Sequence, residues 1–99
     1  MYAHVVEVNV ANGKMDEGIQ AFRDQVLPSL HNHSLYRGSH LLVDREESKA
    51  VWIGRFLGGC LEATQYREDR IASLAQYVPG VVAHRTYEVA LEDEAPAAD

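Results

Sequence analysis

Tyr36-Arg37-Gly38-Ser39-His40-Leu41-Leu42-Val43-Asp44, then Arg45-Glu46-Glu47-Ser48-Lys49, then Ala50-Val51-Trp52-Ile53-Gly54-Arg55-Phe56-Leu57, is the stretch that decides the fold. Two runs rich in β-branched and aromatic residues flank a polar turn, which predicts a β-hairpin with a loop of about three to five residues. A hairpin closing around Glu47 puts Leu41, Val43, Val51 and Ile53 on one face. The other face then carries Tyr36, His40, Leu42, Trp52 and Phe56. An antiparallel sheet covered on one side shows a polar outer face. This hairpin is apolar on both, so a second copy of the chain packed sheet to sheet is expected.

Upstream of the hairpin, the apolar residues Met15, Ile19, Phe22, Val26 and Leu30 recur at helical spacing. Asp16 and Glu17 suit the N-terminus of that helix, and His31 and His33 fall near its C-terminus. Pro28 lacks a backbone donor and predicts a kink or break in the last turn. Before the helix, Asn12-Gly13 signals a turn, and Tyr2 to Val10 alternates as a strand. Downstream, Gly58-Gly59 interrupts the pattern, and Cys60 to Tyr77 reads as a second helix with Leu61, Ile71, Leu74, Ala75 and Val78 on its buried side. Pro79-Gly80 stops it, and Val81 to Leu91 is a fourth strand. The order β-α-β-β-α-β predicts an α+β, ferredoxin-like fold: a four-stranded antiparallel sheet with two helices on one face.

The chain of 99 residues has room for one domain, with a thin core that oligomerisation would help. That domain is expected over residues 1–91, with residues 92–99 an acidic disordered tail. Net charge is −6, but four of the fifteen acidic residues lie in the tail. The rest is nearly neutral and has no basic face, which disfavours nucleic acid. A single cysteine, Cys60, excludes an internal disulfide. No apolar run is long enough to span a membrane and no leader is read, so a cytoplasmic location is expected.

The helix segment Gly13-Lys14-Met15-Asp16-Glu17…Ala21-Phe22-Arg23-Asp24…Val26-Leu27-Pro28, followed by Tyr36-Arg37-Gly38-Ser39 and Leu41-Leu42-Val43-Asp44-Arg45-Glu46, resembles the antibiotic biosynthesis monooxygenase domain family over residues 2–91. The resemblance implies a dimeric α+β barrel with a pocket between sheet and helices. It also implies a cofactor-independent monooxygenase that oxidises an aromatic or polyketide-like molecule, with haem-degrading enzymes as relatives. Two departures stand out. Many members carry Trp and a short acidic stretch just before the second helix, where this chain reads Arg55-Phe56-Leu57-Gly58-Gly59-Cys60. Haem degraders hold iron through a His on the second helix, and residues 61–77 contain none, although Asn9 lies on strand one, where those enzymes use Asn. The alternative is a non-catalytic dimer that binds a small ligand or a partner protein.

His40 is the acid/base candidate, because in the register above it shares a face with Trp52. One histidine and one aromatic wall could orient a flat phenol and take its proton, help worth about 10²–10⁴-fold. The plainer reading of the pair is core or interface packing. Tyr66 and Tyr87 are candidate hydrogen-bond partners for a substrate oxygen, with Tyr77 a further possibility. Arg85 could anchor an anion or pair with Glu7, or lie exposed. His4, His40 and His84 occupy three strands and would need to converge to hold a metal. His31 and His33 point about 200° apart on a helix and cannot share an ion. Cys60 sits at an expected helix N-terminus without a histidine beside it in sequence. Phosphate-loop, dinucleotide, Cys-x-x-Cys and His-Glu-x-x-His motifs are absent, so no metal and no cofactor are expected.

Overall fold

The alternation of Val6 and Val8 with Glu7 and Asn9 is realised as strand β1 (Tyr2–Asn9) in the computed structural model, which describes residues 1–58, 74 and 76–96. The Asn12-Gly13 turn follows, with Gly13 at φ 76° and Lys14 N–H donating to the Ala11 carbonyl at 3.0 Å. A helical rod then runs through α1 (Met15–Ala21), a π-helical turn (Phe22–Val26) and α2 (Leu27–His31). The kink or break expected at Pro28 takes the form of a widened turn on its N-terminal side. Pro28 has no N–H for the Asp24 carbonyl, and its ring crowds that carbonyl. The backbone N–H of Leu27 reaches back to the Phe22 carbonyl, a five-residue span that absorbs the misfit without ending the rod.

Strands β2 (Tyr36–Asp44), β3 (Lys49–Phe56) and β4 (Gly80–Glu88) complete an antiparallel sheet in the order β2-β3-β1-β4. This is the ferredoxin-like order, and all four strands fall where the alternation places them to within a few residues. The expected second helix lies outside the described residues for most of its length. Its end shows Leu74 buried, with its carbonyl accepting the N–H of Tyr77 at 2.9 Å and of Val78 at 3.0 Å.

The hairpin register differs from the expected one by a single residue. Asp44 pairs with Lys49, Leu41 with Trp52 and His40 with Ile53. The loop is therefore the four residues 45–48, centred between Glu46 and Glu47 rather than on Glu47. Local chemistry accounts for this. The Asp44 carboxylate accepts the backbone N–H of Glu46 and of Glu47, each at 3.1 Å, and Ser48 takes the left-handed φ of 53° that closes the turn. A slip of one residue moves every side chain of one strand to the opposite face. Trp52, Phe56, Tyr36, Leu41 and Val43 consequently face the rod, while His40, Leu42, Val51 and Ile53 face away.

The core lies between sheet and rod. Phe56, Leu30 and His4 are its most fully buried side chains, joined by Val6, Ala21, Val26 and Trp52. The far face of the sheet carries Val5, Val51, Ile53 and an exposed Leu42.

Candidate functional site

A cavity opens inside the core, where β1 and β3 face the rod. Its walls include Val8, Ile19, Phe22, Leu41, Trp52 and Tyr77, and its free volume is about 80 Å³. Tyr77 is the only titratable side chain among the described lining residues. Trp52 is held by its surroundings. Its six-membered ring lies over the α-carbon of Gly54, where any Cβ would collide with Cζ2 and Cη2. Phe22 and Phe56 flank it at ring-centroid distances of 6.5 and 6.4 Å. The indole is 8% exposed, and its Nε1–H is buried with no acceptor among the described residues. A buried donor left without a partner costs about 1–3 kcal/mol. The Trp52 side chain lines the cavity, while its N–H is closed off from solvent.

The side chains singled out as an acid/base and substrate-binding set do not converge. His40 is exposed and faces away from Trp52, so a phenol stacked on the indole is beyond its reach. Tyr87, 51% exposed, pairs with Ala3 on that same outer face. Arg85 pairs with Val5 there, exposed, and makes no ion pair with Glu7. Tyr66 and Cys60 lie outside the described residues. His31 is exposed and packs on the Tyr36 ring at 5.9 Å, whereas His33 falls beyond the end of α2 and its Nδ1 accepts the Leu35 N–H at 3.2 Å. At the start of the tail, the Glu92 carboxylate lies 3.8 Å from the Arg55 guanidinium.

Of the three strand histidines weighed as metal ligands, two come together, His4 and His84. His4 is completely buried, with Nδ1 and the Thr86 hydroxyl 3.2 Å apart. Its ring stacks on His84 at 6.4 Å and meets the edge of Phe56 at 5.4 Å. Position 4 is in phase with Val6 and Val8, so strand alternation already points it inward. His40 lies across the sheet from this pair. Among the described residues, no group of three His, Cys, Asp or Glu side chains could hold a metal ion.

No protein-family model matches the sequence, and no curated protein matches it. Solved structures do match in fold. A candidate antibiotic biosynthesis monooxygenase of Chloroflexus aurantiacus superposes with a TM-score of 0.66 at 13% identity, over 93% of this chain and 96% of that one. The chain has the fold of the antibiotic biosynthesis monooxygenases. A second candidate of that kind, from Bordetella bronchiseptica, gives 0.65 at 11% identity over 91% and 97% of the two chains. An uncharacterised NIPSNAP-domain protein of Burkholderia xenovorans covers all of both chains with a TM-score of 0.60 at 16% identity. Identities this low speak for the fold and leave the chemistry to the site. No helix among the described residues is long and apolar enough to cross a membrane.

Proposed function

We propose that this chain is a cofactor-independent monooxygenase of the antibiotic biosynthesis type, oxidising an aromatic or polyketide-like molecule in the cavity beside Trp52. The observation that carries this reading is the apolar cavity walled by Trp52, whose buried indole N–H has no acceptor among the described residues. In such a reaction a ring CH₂ and O₂ give a ring carbonyl and water. One oxygen atom enters the product, and the other leaves with the two hydrogens. The substrate must first become an electron-rich anion. Its proton passes to water before the ring enters the dry site, where the described lining residues offer a donor for the anion. Trp52 Nε1–H then stabilises the oxygen on which its charge collects, a contact worth most in a dry site.

A non-catalytic ligand-binding dimer is the second reading. The small volume of the cavity favours it, because ordinary ligand sites run to roughly 300–1,000 Å³. In either reading the outer face of the sheet is the surface that pairs two copies, with Leu42, Val51 and Ile53 at its centre, in a cytoplasmic protein. Oxygen uptake by metal-stripped protein with anthrone- and hydroquinone-like phenols separates the two. Saturable uptake that falls at least tenfold in Trp52→Phe, which keeps an aromatic ring and removes the donor, is the expected result. Uptake no faster than spontaneous oxidation across the panel would leave the binding reading.

A further inference from the structure

We propose that the substrate or ligand of this chain is an acid, and that its carboxylate is held outside the cavity by Arg37. This rests on the reading of the cavity as a ligand pocket and adds the chemical class of what enters it. A second space, an open cleft of about 720 Å³, lies between the rod and the edge strand β2. Ile19, Phe22 and Leu41 line both the cleft and the cavity, so the cleft is the cavity's outer neighbour. Its volume is in the ordinary range for a ligand site.

Both walls of the cleft are irregular at the residues that matter. On the rod, the π-helical turn starts at Phe22, the side chain that stands between cleft and Trp52. On β2, the pairing jumps from Tyr36↔Phe56 to Gly38↔Arg55, which leaves Arg37 as the extra residue of a β-bulge. Gly38 makes the bulge possible, with φ 139° and the Arg55 guanidinium packed where a Cβ would sit. Bulges of both kinds recur next to functional sites because they re-aim a side chain without dismantling the element.

Charge points the same way. The chain carries −6 overall, yet Arg23, His31 and Arg37 line this cleft, and no carboxylate does among the described residues. Arg23 is partly neutralised by Asp24, with Nε 3.5 Å from Oδ1. Arg37 is different. Its Nη1 donates to the Ser34 and Tyr36 carbonyls, each at 2.9 Å, which fixes the guanidinium without discharging it. A guanidinium anchored at one nitrogen offers its remaining N–H groups to a carboxylate in a preset fork. The Tyr36 and Ser39 hydroxyls, 2.7 Å apart, lie along the same strand edge. An apolar body directed past Phe22 toward Trp52 would therefore leave its acid group at Arg37.

The test is calorimetric titration of 2-naphthoate and of its neutral isostere 2-naphthamide into wild type and Arg37→Gln. Emission of Trp52, the single tryptophan, is followed in parallel. Both probes are expected to quench Trp52. Naphthoate should bind wild type about five- to tenfold more tightly than naphthamide, and Arg37→Gln or added salt should erase that advantage while leaving naphthamide unmoved. Equal binding of acid and amide to wild type, or an advantage that survives Arg37→Gln, overturns the assignment of Arg37 and leaves the cavity reading standing. If neither probe binds or quenches Trp52, the cavity reading itself falls and this inference with it.

Discussion

The two faces of the β2–β3 hairpin have similar apolar content and opposite fates. The face toward the rod presents Leu41, Val43, Trp52 and Phe56, and its centre is buried to the level of a closed core. The outer face presents Leu42, Val51 and Ile53, with Leu42 51% exposed. Hydrophobicity along the strands does not distinguish them. What does is a turn: one carboxylate, Asp44, accepting two backbone N–H groups sets a four-residue loop, and parity does the rest. A few polar atoms at a hairpin tip thus decide which apolar set becomes core and which is left outside it.

The comparison can be broken from either side. The largest effect belongs to the inner face. Phe56 is 1% exposed and wedged among His4, His33, Tyr36 and Trp52. Phe56→Ala is expected to cost about 3–5 kcal/mol in urea unfolding, and a loss below about 1 kcal/mol would mean the core is not built as described. On the outer face, Ile53→Lys sets a charge in the middle of the proposed sheet-to-sheet contact. Sedimentation should show a dimer in wild type and a monomer in the variant at micromolar concentration, with the monomer still folded by circular dichroism. A monomeric wild type would remove the explanation offered for the apolar outer face. The smallest effect belongs to His40. Exposed and facing away from the cavity, it should tolerate His40→Ala within about 0.5 kcal/mol and with substrate turnover unchanged. A large loss of turnover would return the catalytic centre to the outer face.

Much of the fold was legible because it rests on local periods. The strands follow alternation, the rod follows the stripe from Met15 to Leu30, and the Asn12-Gly13 turn follows from glycine's access to positive φ. The effect of Pro28 was legible in place, with its form open between kink and break, since a missing N–H can be absorbed by a wider turn as well as by a break. The candidate site was less legible. Trp52 was singled out for its ring, but the burial of its N–H without an acceptor among the described residues is a property of neighbours. His40 was singled out through a register wrong by one residue, while His4, in phase with the buried valines, was the histidine that went inside.

The sequence by itself determined the order of the four strands and the first helix, the apolar content of both sheet faces and the acidic character of the tail. These are properties of short stretches, and they need no knowledge of what lies opposite. Only the tertiary structure decided which residues share a space. It joined Phe22 of the rod to Trp52 of β3 around one cavity, set Arg37 of a bulged edge strand in the adjoining cleft, and put His40 out of reach. The physical reason is that side-chain direction alternates with every residue of a strand. Proximity across elements therefore depends on registers and bulges, and these are settled by hydrogen bonds and packing between segments far apart in the chain.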